Sequence, residues 1–233
     1  MEIYAVRTLD ISEEKLDNLC LLISLEKRCI IKKFNNKKDK IRTLIAEMLI
    51  RTIIVKELSI RNKHITLERS QYGKPYLKDY PKFNFNVSHS GDFVVCAIDT
   101  KPIGTDIEQI KHIEYEDIAK SFFSVSEFNY IAKNDLGVGL SKFYEIWTLR
   151  ESYIKCCGQG LSIPLKSFSI DIDNYKNIKV IVNNEHKEHA FKRFDIESGY
   201  KMAICSLNKE ISNNIIMLDQ NSLINNYSRF DLE

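Results

Sequence analysis

Glycine and proline are scarce in this chain, with 8 Gly and 4 Pro among 233 residues. Both supply flexible or broken backbone, so little material remains for linkers or low-complexity arms, and an ordered chain is expected nearly throughout. Long apolar runs are missing as well. No stretch approaches the roughly 18 residues a membrane helix needs, so no membrane partner is expected. The opening Met-Glu-Ile-Tyr-Ala-Val-Arg carries charges at Glu2 and Arg7, which leaves no uninterrupted apolar core for a signal peptide. The six cysteines (Cys20, Cys29, Cys96, Cys156, Cys157, Cys205) include no C-x-x-C pair, which removes the usual zinc and redox signatures. Reduced thiols in a cytoplasmic protein are the expectation. Neither sign of charge dominates: 34 Lys and Arg against 32 Asp and Glu leave +2, too weak a field to coat nucleic acid. No nucleic-acid partner is expected, and any preference for anions must be local.

The length is enough for one large domain or two closely packed halves. Ile3 to Val6 reads as a short strand, and Ser12 as the N-cap of a helix with Leu16, Leu19, Cys20 and Ile23 at helical spacing. The strongest helix signal is Ile41, Leu44, Ile45, Met48, Leu49, Thr52 and Ile53, with Arg42, Glu47 and Arg51 on its polar flank. Alternation at Phe83, Phe85 and Val87, then the apolar run Phe93 to Ile98, predicts a hairpin whose second strand is central. A further strand follows near Ile103. Helical signals recur at 114–133 and 141–157, with candidate strands at 168–172, 178–182, 190–194 and 200–206. The expected fold is α+β, in two pseudo-symmetric halves (1–104 and 105–233), each with helices on a small antiparallel sheet and the active site at their junction. Residues after about 208 lack periodicity and read as a peripheral tail.

The chemistry lies in three places. Period two puts Asp106 and Glu108 on one face of their strand, about 6 to 7 Å apart, with Ile107 on the other. Paired carboxylates at a sheet end either repel or hold a cation, and an all-oxygen set open to water and phosphate suits Mg²⁺ better than zinc. Trp147, Glu151 and Lys155 recur at four-residue intervals and share one helix face, offering a third carboxylate and an ammonium. Ser88-His89-Ser90 ends a strand with two hydroxyls and an imidazole. Each has an ordinary alternative: solvent-facing strand residues, a surface Glu-Lys pair, a hydrogen-bonded loop histidine. Ser88 and His89 lack the surrounding elbow of a hydrolase triad, and phosphate contact fits them better. Glu127 stays open between two readings, the capping box Ser124-Val125-Ser126-Glu127 and a general base for an incoming hydroxyl. Together these residues point to attack on a diphosphate bond.

These residues resemble the surfactin-type (Sfp-type) 4'-phosphopantetheinyl transferases. The likeness runs through Tyr72-Gly73-Lys74-Pro75, Phe85-Asn86-Val87-Ser88-His89-Ser90, Gly104-Thr105-Asp106-Ile107-Glu108 and Trp147-Thr148-Leu149-Arg150-Glu151-Ser152-Tyr153-Ile154-Lys155. It implies transfer of phosphopantetheine from coenzyme A to a serine of an apo carrier protein of a peptide, polyketide or fatty acid synthase. It implies Mg²⁺ on Asp106, Glu108 and Glu151, with Glu127 as the proposed base. Lys155 and Ser88 would touch the diphosphate, His89, Lys27 and Thr43 the 3'-phosphate region, and Tyr72, Gly73, Lys74 and Pro75 the adenine. A monomer is implied by the length. Arg150 stands where the family usually has lysine, and Ile30 where relatives can carry a basic residue. A binding module without transfer activity is the rival reading.

Overall fold

The computed structural model describes residues 1–132, 136–173 and 177–230. β1 (Glu2–Arg7) is followed by α1 (Glu13–Cys20), whose cap Ser12 accepts a hydrogen bond from the Lys15 amide. A short helix that the sequence pattern did not reveal, α2 (Leu25–Lys32), precedes the long α3 (Lys37–Leu58). α3 buries Leu44, Ile45, Met48, Leu49 and Ile54 completely or almost so. Burying each such side chain is worth about 1.5–3 kcal/mol relative to leaving it in water, which fixes that face of α3 against the sheet. Glu47, expected on the polar flank, is instead 3% exposed and lies between Lys27 (3.2 Å) and Arg51 (2.6 Å). Cations on both sides replace the water this carboxylate loses on burial.

The small hairpin β2 (Leu67–Arg69) and β3 (Pro75–Leu77) leads to β4 (Asn84–Ser90) and β5 (Phe93–Asp99). β5 is central, flanked by β1 and β4, as its continuous apolar run predicts. Period two sorts this sheet's residues into two cores. Tyr4, Val6, Val94, Cys96 and Ile98 join the α3 core, while Ile3, Ala5, Phe93, Val95 and Ala97 face the other way. What they meet is a second sheet, built on β6 (Ile103–Gln109).

The remaining elements are α4 (Tyr115–Phe122), α5 (Val125–Ala132), α6 (Leu136–Cys157), β7 (Phe168–Ile172), β8 (Ile178–Val182), β9 (Glu185–His186), β10 (Ala190–Phe194), β11 (Tyr200–Ser206), β12 (Ile216–Leu218) and α7 (Gln220–Arg229). The helical signal over 114–133 is thus two helices, broken at Phe123 and Ser124, and its last residue, 133, lies outside the described residues. The second sheet has the order β10-β11-β6 and is antiparallel. Ile103, Ile107, Met202 and Ile204 pack toward the first sheet, and Ala203 and Cys205 toward α6. The result is four layers, α3, first sheet, second sheet and α6, with a 22-residue helix covering each outer face. This is an α+β architecture of helices packed on small sheets.

The expectation of a peripheral tail is corrected. β12 pairs in parallel with β1, so the first sheet is mixed rather than purely antiparallel, and α7 buries Leu223, Ile224 and Tyr227 in the α3 core. The last segment therefore returns to the N-terminal sheet. Its strand is three residues long, too short for alternation to show in the sequence.

Candidate active site

β4 and β6 belong to different sheets but run side by side, joined through side chains. The Thr105 amide donates to Asn86 Oδ1 (2.8 Å), Ser88 Oγ to Asp106 Oδ1 (3.0 Å) and Ser90 Oγ to Glu108 Oε2 (2.7 Å). Even-numbered residues of both strands face this seam, and the junction of the halves is where the polar side chains collect. α6 lies over β6 at very close range because of Gly104. A Cβ there would come within 2.1 Å of the Ser152 carbonyl oxygen and 2.3 Å of the Cys156 nitrogen, both backbone atoms. Bare glycine lets the helix settle with Trp147, Glu151 and Lys155 turned toward Asp106 and Glu108.

These residues, with Val87, Ser88 and His89, line one cleft of about 360 Å³. The Lys155 ammonium lies 2.5 Å from Asp106 Oδ1 and 3.1 Å from Ser88 Oγ. Trp147 closes one end and stacks behind on Phe143, at 5.8 Å between ring centroids, so its position is set by the aromatic core. Burial, partly offset by Lys155, raises the Asp106 carboxyl above its ordinary range. Burial and the neighbouring Asp106 charge raise Glu108 and Glu151 too. Partial desolvation at the cleft rim and the Arg42 guanidinium lower His89. Among the described residues Glu151 has no hydrogen-bond or ionic partner, and Asp106 Oδ2 is buried without one.

An orphaned buried carboxylate oxygen beside two further carboxylates is an arrangement that a hard divalent cation relieves. Among the described residues no three His, Cys, Asp or Glu side chains form a ready-made metal cage. The carboxylates line an open cleft, which leaves room for water and phosphate oxygens in the manner of Mg²⁺ sites.

Other expected residues lie elsewhere. Glu127 is outside the cleft lining and 1% exposed; its carboxylate accepts from Arg150 Nη1 (2.7 and 2.9 Å), the Ile170 amide (2.8 Å) and the Ser124 amide (2.7 Å). The Glu127 amide in turn donates to Ser124 Oγ. This is the reciprocal capping box, and Arg150 together with the two amides occupies both carboxylate oxygens outside the cleft. Lys27 is paired with Glu47, and Thr43 Oγ1 donates to the Asp39 carbonyl. Lys74 and Pro75 line a second cleft of about 390 Å³, along with Cys156, Cys157 and Gly158, whereas Tyr72 and Gly73 lie outside that lining. A larger cavity of about 630 Å³, bounded by Met1, Tyr80 and Ile98, sits at the opposite end of β4 and holds none of these residues.

Residues 10–101 match the family described as 4'-phosphopantetheinyl transferase, N-terminal, and residues 102–205 the 4'-phosphopantetheinyl transferase superfamily. The chain is 36% identical over 225 residues to the 4'-phosphopantetheinyl transferase Sfp of Bacillus subtilis (strain 168), covering 96% of this chain and 100% of that one. This chain belongs to the 4'-phosphopantetheinyl transferase superfamily and is of the Sfp type. A mammalian relative of the transferase, the L-aminoadipate-semialdehyde dehydrogenase-phosphopantetheinyl transferase of Mus musculus, is 33% identical over 78% of this chain and 66% of its own. A Helicobacter pylori holo-[acyl-carrier-protein] synthase in complex with coenzyme A aligns with a TM-score of 0.36 at 17% identity over 44% of this chain and 96% of that one, too slight to carry an argument. In this transferase, reading the sequence overlooked the β4–β6 seam. Its only trace is the polar alternation Asn86, Ser88, Ser90, which does not reveal the strand it faces.

Proposed function

We propose that the protein transfers the 4'-phosphopantetheine group of coenzyme A to a serine hydroxyl of an apo carrier protein, releasing adenosine 3',5'-bisphosphate. One observation carries this reading. Three carboxylates short of positive charge meet an ammonium and a hydroxyl suited to phosphate oxygens, in one cleft between the halves. Asp106, Glu108 and Glu151 would hold Mg²⁺, which supplies Lewis-acid and clamping chemistry toward the diphosphate when bound.

The protein's own groups then divide the work. Lys155 leaves or shares its contact with Asp106 to neutralise charge on the diphosphate oxygens, and Ser88 donates to the same group. His89, near the end of β4 and within the field of Arg42, suits the 3'-phosphate, with Lys27 of α2 and Thr43 of α3 as its proposed companions. The cleft beside Lys74 and Pro75 suits the adenine. Glu127 is engaged by Arg150 outside the cleft lining, so its role as base for the attacking serine would run through water rather than by direct contact. Holding nucleophile and phosphorus in line contributes much of the remaining acceleration.

Both walls of the cleft come from one chain, which supports a monomeric enzyme. The reading includes a cytoplasmic setting, where free thiols such as all six cysteines persist. The decisive experiment is incubation with coenzyme A, Mg²⁺ and an apo carrier protein, followed by intact-mass measurement. A gain of one phosphopantetheinyl group on the carrier is expected. An unmodified carrier across peptide, polyketide and fatty acid types would favour a binding module.

A further inference from the structure

Lys74 is half-buried on the turn between β2 and β3 and borders the second cleft, yet its ammonium is spent on backbone carbonyls. It donates to the carbonyls of Lys155 (2.7 Å), Ile103 (3.0 Å) and Cys156 (3.5 Å). An ammonium has three N–H donors, so all three are used on backbone. Two acceptors belong to the last turn of α6, where helix carbonyls have no partner within the helix and a cation is favoured. The third is at the first residue of β6. The turn that carries Lys74 is itself held, because the Lys74 amide donates to Ser70 Oγ (3.2 Å), the Ser70 amide to the Lys74 carbonyl (2.9 Å) and the Gly73 amide to the Ser70 carbonyl (2.8 Å). Gly73, at φ +85°, takes a left-handed conformation that glycine adopts without penalty.

The two elements joined here carry the charged groups of the cleft: Glu151 and Lys155 on α6, Asp106 and Glu108 on β6. They touch one residue away from the clamp, where Gly104 meets the backbone of Ser152 and Cys156. Gly104 permits the approach, and Lys74 holds it. We propose that Lys74 is a positioning residue for the transfer reaction, one whose ammonium binds no ligand but fixes the last turn of α6 to the start of β6 and so keeps Lys155 and Glu151 at Asp106. The loss of solvent around the Lys74 ammonium lowers its pKa, as expected for a cation enclosed by dipoles rather than by carboxylates. Only the kinetic half of the test rests on the transferase reading above.

The test uses the full chain with Lys74→Met, which removes all donors, and Lys74→Gln, which keeps a shorter, neutral donor. Amide hydrogen exchange of residues 152–158 is measured alongside kcat and KM for coenzyme A in carrier modification. Faster exchange confined to that last turn is expected in both variants, with α3 amides unchanged. A fall in kcat of about tenfold or more should accompany it, because small misplacements of reacting groups have effects of this size, over and above any change in KM for coenzyme A from the cleft that Lys74 borders. Unchanged exchange in 152–158 would overturn the proposal, as would a raised KM with kcat intact, the mark of direct ligand contact. If Lys74→Met does not fold, the same comparisons in Lys74→Gln decide. A wild-type chain that modifies no carrier, with the faster exchange still seen in the Lys74 variants, would refute the transfer reading and leave the clamp standing.

Discussion

Glu127 and Arg150 form an ion pair sealed from solvent, the guanidinium 2.7 and 2.9 Å from the two carboxylate oxygens. Arg150 also reaches the Leu165 and Phe168 carbonyls and lies over the Phe168 ring at 4.3 Å. The pair therefore joins α5, α6 and β7. Removing one partner leaves the other charge buried and uncompensated, a loss of about 3–5 kcal/mol. Glu127→Ala should accordingly unfold at much lower urea concentration, with turnover falling as the folded fraction falls. A variant with wild-type stability and abolished turnover would give Glu127 a chemical role beyond the ion pair. Arg150→Lys should be milder but still destabilising, because an ammonium cannot reproduce the planar contacts.

Glu151→Gln should behave in the opposite way. Its carboxylate has no partner among the described residues and is raised by burial and by Asp106, so neutralising it relieves repulsion. Thermal unfolding without divalent cation is expected at an unchanged or higher temperature, while carrier modification falls by about 10² or more, the scale of losing one electrostatic transition-state contact. Full turnover at limiting Mg²⁺ would remove Glu151 from the site.

The same three carboxylates set a pH dependence. Asp106, Glu108 and Glu151 have folded pKa values above their ordinary ones. Above the ordinary carboxylate range the folded state thus holds protons that the unfolded chain has released, and stability falls as pH rises through the raised values. Thermal midpoints of cation-free protein from about pH 4 to about pH 8 should show this contribution as a slope that is shallower in Glu151→Gln. Adding Mg²⁺ should raise the midpoint most at the upper end, where the carboxylates are ionised. Equal slopes in both proteins would contradict the assigned repulsion.

Gly104→Ala tests the contact between α6 and β6. The new Cβ would meet backbone of Ser152, Lys155 and Cys156, which cannot swing aside as a side chain can. A destabilisation of about 1–3 kcal/mol is expected from overpacking, with loss of turnover beyond what the unfolded fraction explains. Denaturant titration and activity on the same samples check it.

Much of the site was legible along the chain because its signals are local. Asp106 and Glu108 share a face by the pleat of one strand, and Trp147, Glu151 and Lys155 by the turn of one helix. The Ser124–Glu127 capping box was equally readable within four residues. That its carboxylate also binds Arg150, 23 residues away, and the Ile170 amide, 43 residues away, was not. Glu47 was read only as part of a polar flank for a similar reason, since Lys27 comes from a helix too weakly patterned to detect.

The residues by themselves determined most of the elements, much of the cores they bury and the chemical character of the site, because apolar period and side-chain type act within a few positions. Tertiary structure alone decided that β12 returns to β1, that β4 and β6 meet through serine and asparagine side chains, and that Lys74 closes onto α6. Those contacts join segments far apart in the chain through backbone carbonyls and hydroxyls, groups that nearly every sequence offers and no sequence pattern marks.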